Sequence, residues 1–226
     1  MSSSTQLLTS ILEANETYAE AFARSDPALL KKLAKGQSPR IFWLGCSDSR
    51  RNIAQCFHQG DLSASAALAY AVHVLKVEAI IVCGHTGCGG VKAGMQAAVE
   101  SKEREDKGEK VEPPKPGSVE DTIAKWIAPI KSLASSQLPS CSSDPLEALE
   151  LAHLTDSHVR DTVKAVADSD IVRAAWDEGM DLSVHGWVYH VATAKLRDLD
   201  CGWKGVGIRA DSLSRPSTYA ESEPRE

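Results

Sequence analysis

Apolar positions along the chain follow two rhythms. Ile41-Phe42-Trp43-Leu44 is a short unbroken run between Pro39 and Gly45, and Ala79-Ile80-Ile81-Val82 is a second that ends at Gly84. Unbroken runs of this length suit strands buried on both faces. Between them, Ala64, Ala67, Leu68, Ala71, Val72 and Leu75 recur at the spacing of an amphipathic helix. Strand, helix and strand in that order imply a right-handed crossover and a parallel pair of strands. The chain therefore reads as α/β, with a central, mainly parallel sheet flanked by helices.

The same patterning organises the rest. Residues 5–35 are helical in character, with Leu7, Leu8, Ile11 and Leu12 on one face, Tyr18, Ala19 and Phe22 following, and Asp26-Pro27 opening a second short helix. A helix is expected at 91–101. The stretch 102–117 is crowded with Lys, Glu and Pro, and reads as a solvated loop or a frayed helix end. Ser118 with Asp121 forms a capping box for a helix that Pro129 should bend, and Asp144-Pro145 with Glu147 caps a longer helix reaching Ala167. Residues 171–178 form a helix stopped by Gly179, and 182–189 alternate as a strand. The expected organisation is a helical arm at 1–35, an α/β domain at 36–211 and a disordered tail at 212–226.

Composition narrows the classes of function. The chain has 226 residues, enough for a substantial core in one domain, and a net charge of -6, which argues against a nucleic-acid partner. No run is long enough to span a bilayer, and the first ten residues carry neither a basic residue nor the apolar centre of a signal peptide, so the cytoplasm is the expected location. The six cysteines are scattered and include no C-x-x-C pair, so reduced thiols are expected. Cys56, Cys83, Cys141 and Cys201 read as non-ligands.

Chemistry gathers where the two apolar runs end. Cys46, Asp48 and Arg50 form a C-x-D-x-R run after the first, and His85 and Cys88 form an H-x-x-C pair after the second. Sites in open parallel sheets form at the carboxyl ends of strands, so residues distant in sequence can converge there. Two thiolates and an imidazole suit zinc, with a fourth position left open. Asp48 can occupy that position or hydrogen-bond the water in it. Arg50 is spaced to hold Asp48 ionised and, in one arrangement, to draw it off the metal. Gly84, Gly87, Gly89 and Gly90 let the backbone pass close by and present amides to an anion. Their spacing is not the G-x-G-x-x-G of a dinucleotide site.

Together, G-C-S-D-S-R at 45–50 and C-G-H-T-G-C-G-G at 83–90 resemble the two signature motifs of the β-carbonic anhydrases. Gly36-Gln37-Ser38-Pro39, Arg51-Asn52-Ile53-Ala54, Tyr70-Ala71-Val72 and Val184-His185-Gly186-Trp187-Val188-Tyr189 are also similar to family segments. The resemblance implies zinc on Cys46, His85 and Cys88, a gating pair in Asp48 and Arg50, and a substrate pocket containing Gln37, Tyr70 and Gly89. It also implies a homodimer or higher assembly whose N-terminal helices clasp the partner, and reversible hydration of carbon dioxide to bicarbonate and a proton. Two thiolates donate charge to the metal, so a higher working pH is expected than for an all-histidine site.

The chain departs from the family at one place. A helix, a turn and an edge strand normally separate C-x-D-x-R from R-N-I-A, whereas here Arg51 follows Arg50 directly. A parallel neighbour needs a crossover of about a dozen residues, so 51–54 cannot supply that strand. The sheet is expected to lack one edge strand, and with it some pocket wall and interface. Two other readings stay open: a non-catalytic relative in which zinc staples the fold, and a nucleotide-binding α/β module.

Overall fold

The computed structural model describes residues 3–46, 52–109, 113–137 and 148–205. The chain forms two compact units, Met1–Pro39 and Arg40–Glu226. In the first, α1 (Ser3–Ser25) is followed by α2 (Pro27–Leu33), which starts as its sequence dictates: Pro27 stands in the first turn and the Asp26 carboxylate accepts the Leu29 amide at 2.9 Å. Leu7, Leu8, Ile11 and Leu12 of α1 are all more than half exposed.

The second unit is built on a sheet of five strands. β1 (Ile41–Gly45), β2 (Ala79–His85) and β3 (Ser183–His190) are parallel, with Gly45 level with Cys83 and His85 level with Tyr189. The carboxyl ends of β1 and β2 are thereby set side by side. β4 (Lys195–Asp198) and β5 (Trp203–Lys204) lie antiparallel on the far edge of β3. Between them the register slips: Trp187 opposes Asp198, whereas Val184 opposes Trp203, and Asp200 takes φ 51 in the bulge.

The helices follow as α3 (Leu62–Ala69), α4 (Gly89–Asp106), α5 (Val119–Trp126), α6 (Ala128–Gln137), α7 (Ala148–Ala167) and α8 (Asp170–Asp177). Val159, Val163 and Val166 of α7 pack on Ile80, Val82, Val184 and Val188 of the sheet in the main core. Two glycines permit this approach. A Cβ on Gly84 would lie 2.7 Å from Val159, and one on Gly186 would lie 2.9 Å from Val163 and 2.6 Å from Cys201 Sγ. A second core joins Cys46, Ala54, Cys56 and Cys88 to Val91, Met95, Ile127, Ile130 and Leu154.

Several expectations are met and others are corrected. The mainly parallel sheet, the strand–helix–strand crossover and the helix break before Pro129 are all present. β2 is buried on both faces, but β1 is not: Ile41 and Trp43 are 51% and 39% exposed. Among the described residues β1 ends the sheet, and Ile41 and Trp43 lie exposed on one of its faces. The stripe at 64–75 starts as α3 but widens at Tyr70–Val74 into a π turn, where the Leu75 amide reaches Tyr70 O at 2.9 Å. α4 runs past the expected 101 to Asp106, so the start of the charged stretch is a helix end, because Glu, Lys and Arg at 100–105 are good helix formers. The cap at 144–147 and the tail at 212–226 lie outside the described residues. No described helix is long and apolar enough to cross a membrane.

Candidate metal centre

Three elements each deliver one donor. Cys46 follows the last residue of β1, His85 is the last residue of β2, and Cys88 is the N-cap of α4. Their donor atoms all lie within 4.8 Å of one another. Cys46 and Cys88 are buried and His85 is partly buried. The two sulfurs are 3.7 Å apart. Zn–S bonds of about 2.3 Å in tetrahedral geometry put two sulfurs about 3.8 Å apart, so the pair already has the spacing of neighbouring ligands on one ion.

The surroundings suit a cation. The hydrogen bond with Cys46 and burial both push the Cys88 thiol well above its ordinary range, while the amides of Gly90 and Val91 at the start of α4 pull it back. Among these groups, a second negative charge is costly until a positive one is added, and a divalent ion reverses that balance. Cys46 Sγ accepts the Ala54 amide at 3.1 Å. His85 Nδ1 lies 3.1 Å from Thr86 O, so Nδ1–H donates there and the ring's lone pair is on Nε2. A backbone carbonyl that fixes the tautomer in this way is the usual support for a metal-binding histidine. Two soft sulfurs and one imidazole fit zinc and do not fit calcium or magnesium, which take oxygen ligands.

The other residues singled out in the sequence are placed differently. Asp48 and Arg50 lie outside the described residues. Gly89 is the first residue of α4, next to Cys88 in the chain. Tyr70 opens the π turn and is 56% exposed. Gln37 is exposed and belongs to the first unit. Cys83 packs inside β2 as a small buried hydrophobe, its thiol pushed up to about 11, chiefly by burial.

Sequence reasoning missed the supporting turn at Ile53–Gln55. Ala54 and Gln55 both take positive φ there, 54° and 47°, and both are fully buried. His158 of α7 reaches the turn, its Nε2–H donating to Ala54 O at 2.8 Å. The signal was present: His158 interrupts the apolar stripe of Leu151, Leu154, Val159, Val163 and Val166, and a polar residue inside such a stripe needs a partner.

Two thiols and an imidazole at the carboxyl ends of adjacent parallel strands define an α/β protein with a centre that could hold zinc. A carbonic anhydrase family model matches residues 41–196. The chain belongs to the β-class carbonic anhydrases. It is 28% identical over 213 residues to a carbonic anhydrase of Emericella nidulans, covering 87% of this chain and 85% of that protein. A β-carbonic anhydrase of Coccomyxa, solved with acetazolamide, is 29% identical with a TM-score of 0.73, covering 90% of this chain and 93% of that one. One of two tetrameric β-carbonic anhydrases of Sordaria macrospora is 25% identical with a TM-score of 0.71, covering 88% and 99%.

Proposed function

We propose that this protein catalyses the reversible hydration of carbon dioxide to bicarbonate and a proton, with zinc held by Cys46, His85 and Cys88. The observation that carries the reading is the pair of sulfurs 3.7 Å apart with an imidazole beside them, in a chain of this family. Bound zinc would supply a nucleophile near neutral pH by acidifying water. The protein's own residues do the rest. Thr86 O orients the His85 ring, the Ala54 amide supports the Cys46 thiolate, and the amides at the start of α4 face Cys88. Arg50 pairs with Asp48 and holds it ionised as the gating pair, while Gln37, Tyr70 and Gly89 contribute to the pocket that receives carbon dioxide. The protein works in the cytoplasm as a homodimer or larger homo-oligomer, with residues 1–35 as the arm that clasps the partner, residues 36–211 as the zinc-binding domain and residues 212–226 as a disordered tail. It takes no nucleic-acid or membrane partner.

A second reading has one observation in its favour. Among the described residues β1 ends the sheet, with Ile41 and Trp43 exposed; a pocket wall left incomplete on that side would let zinc serve as a structural staple without turnover. Stopped-flow hydration of the purified protein, with its zinc content measured alongside, separates the two. The expected result is one zinc per chain, hydration inhibited by acetazolamide, and neither zinc nor hydration in Cys46→Ser. Zinc without hydration supports the staple, and absence of zinc refutes both.

A further inference from the structure

The amide that supports Cys46 comes from a backbone conformation that residues with side chains seldom hold. Ala54 has φ 54 and ψ 34, and Gln55 follows with φ 47. Such a turn persists only where its surroundings over-determine it. Here the surroundings are specific. Ala54 N–H belongs to the trans peptide that joins Ile53 to Ala54, and it donates to Cys46 Sγ at 3.1 Å. At the opposite end of that peptide, Ile53 O accepts Trp126 Nε1–H at 3.1 Å. The next peptide is held as well, since Ala54 O accepts His158 Nε2–H at 2.8 Å. Trp126 is the last residue of α5 and His158 stands inside α7. α4 presses from a third direction: a Cβ on Gly90 would lie 2.8 Å from Ile53 and 2.9 Å from Ala54.

Both peptides that flank Ala54 are therefore fixed by side chains, one on each. His158 is 3% exposed, and burial holds its pKa below the ordinary histidine value, which keeps it a neutral donor. We propose that Trp126 and His158 are positioning residues for Cys46: by pinning the two peptides of Ala54 they keep its amide on the sulfur and set the charge that sulfur shares with a metal. The inference rests on the zinc reading of the centre. It extends the metal site outward to α5 and α7, two helices that contribute no ligand.

The distinction from ordinary core packing is testable in the full-length protein loaded with cobalt(II). An N–H···S bond lowers the energy of the sulfur electrons, so its loss should move the thiolate-to-cobalt charge-transfer band to longer wavelength. Loss of such a support typically weakens metal binding about 10- to 100-fold. Trp126→Phe keeps an aromatic ring on the side of His58, whose centroid lies 4.6 Å from that of Trp126, and removes the N–H donor together with part of the indole's volume, a packing loss for which Val172→Ala is the control. Trp126→Phe and His158→Leu should each shift the band and speed metal release to a chelator about tenfold or more. His158→Gln, which retains an N–H donor, should restore much of both. Val172→Ala, in the other core, should lower thermal stability with the band and release rate unchanged.

If Trp126→Phe and His158→Leu keep the native band and release rate, or change them only as far as their stability falls along with Val172→Ala, the proposal is overturned. Should His158→Leu fail to fold, Trp126→Phe decides the matter alone. A native chain that takes up no cobalt removes the centre and the inference together, whereas a loaded native chain with indistinguishable variants overturns the inference only.

Discussion

Cys46, His85 and Cys88 occupy the ends of a strand, a strand and a helix cap, and their chemistry depends on residues that are not ligands. His158 is one of these, and it gives the fold a measurable pH response. Its burial lowers its folded pKa below the ordinary 6.5, while in the unfolded chain the ring titrates near about 6.5. Below that value the unfolded state binds the proton that the folded state refuses, so stability rises with pH in this window. The contribution is complete above about pH 6.5 and is lost as pH falls from there towards the lowered value. Chemical denaturation across pH 5 to 8 should show this acid limb, and His158→Gln should reduce it, the remainder coming from His185, whose pKa burial also lowers. An unchanged limb in the variant would refute the assignment. The three candidate ligands were legible in the sequence because their spacing is local and both motifs end apolar runs. That His158 needs a buried partner was legible from its place in the apolar stripe of α7, but the partner itself was not, nor was the role of Trp126, because both depend on which turn α5 and α7 come to cover and no local spacing encodes that.

At the scale of elements, the sheet is fixed by period and its helices by close approach. The unbroken apolar runs led correctly to β1 and β2, because adjacent hydrophobic residues suit a strand within a parallel sheet. Period alone does not say whether a strand is central or terminal, so the exposure of Ile41 and Trp43 was not legible from the run itself. The π turn at Tyr70–Val74 was likewise hidden, since it falls at the end of the stripe, where only Leu75 follows to report the change of phase. The packing of α7 is directly testable. In Gly186→Ala the new methyl would stand 2.6 Å from Cys201 Sγ, 2.9 Å from Val163 and 3.1 Å from Val159. Overpacking of this kind costs about 1–3 kcal/mol, and urea denaturation should show a loss in that range with zinc content retained. A neutral substitution would mean that α7 does not sit this close to β3.

For the whole molecule, the remaining question is what covers its apolar surface. Leu8 and Leu12 of α1 are 62% and 67% exposed, next to Leu7 and Ile11 on the same helix. A contiguous apolar patch on a monomer marks an interaction surface. The proposed clasp of a partner by this arm would bury it, at about 1.5–3 kcal/mol for each leucine. Changing both Leu8 and Leu12 to Gln should therefore weaken self-association by roughly 100-fold or more, as read by sedimentation equilibrium. An assembly that survives the double change would move the interface off α1. The helical character of the arm was plain from its period, but its partner was not, because a face buried between chains and a face buried within one have the same pattern.

The proposed centre is defined by one set of bonds, and X-ray absorption at the zinc edge reads them directly. The purified protein should give a shell of two sulfurs at about 2.3 Å and a histidine nitrogen at about 2.0–2.1 Å, at one zinc per chain. Cys46→Ser should lose that shell. A native spectrum built from oxygen and nitrogen alone, or a protein purified and reconstituted without zinc uptake, would contradict the assignment of Cys46, His85 and Cys88 and the hydration activity proposed from it.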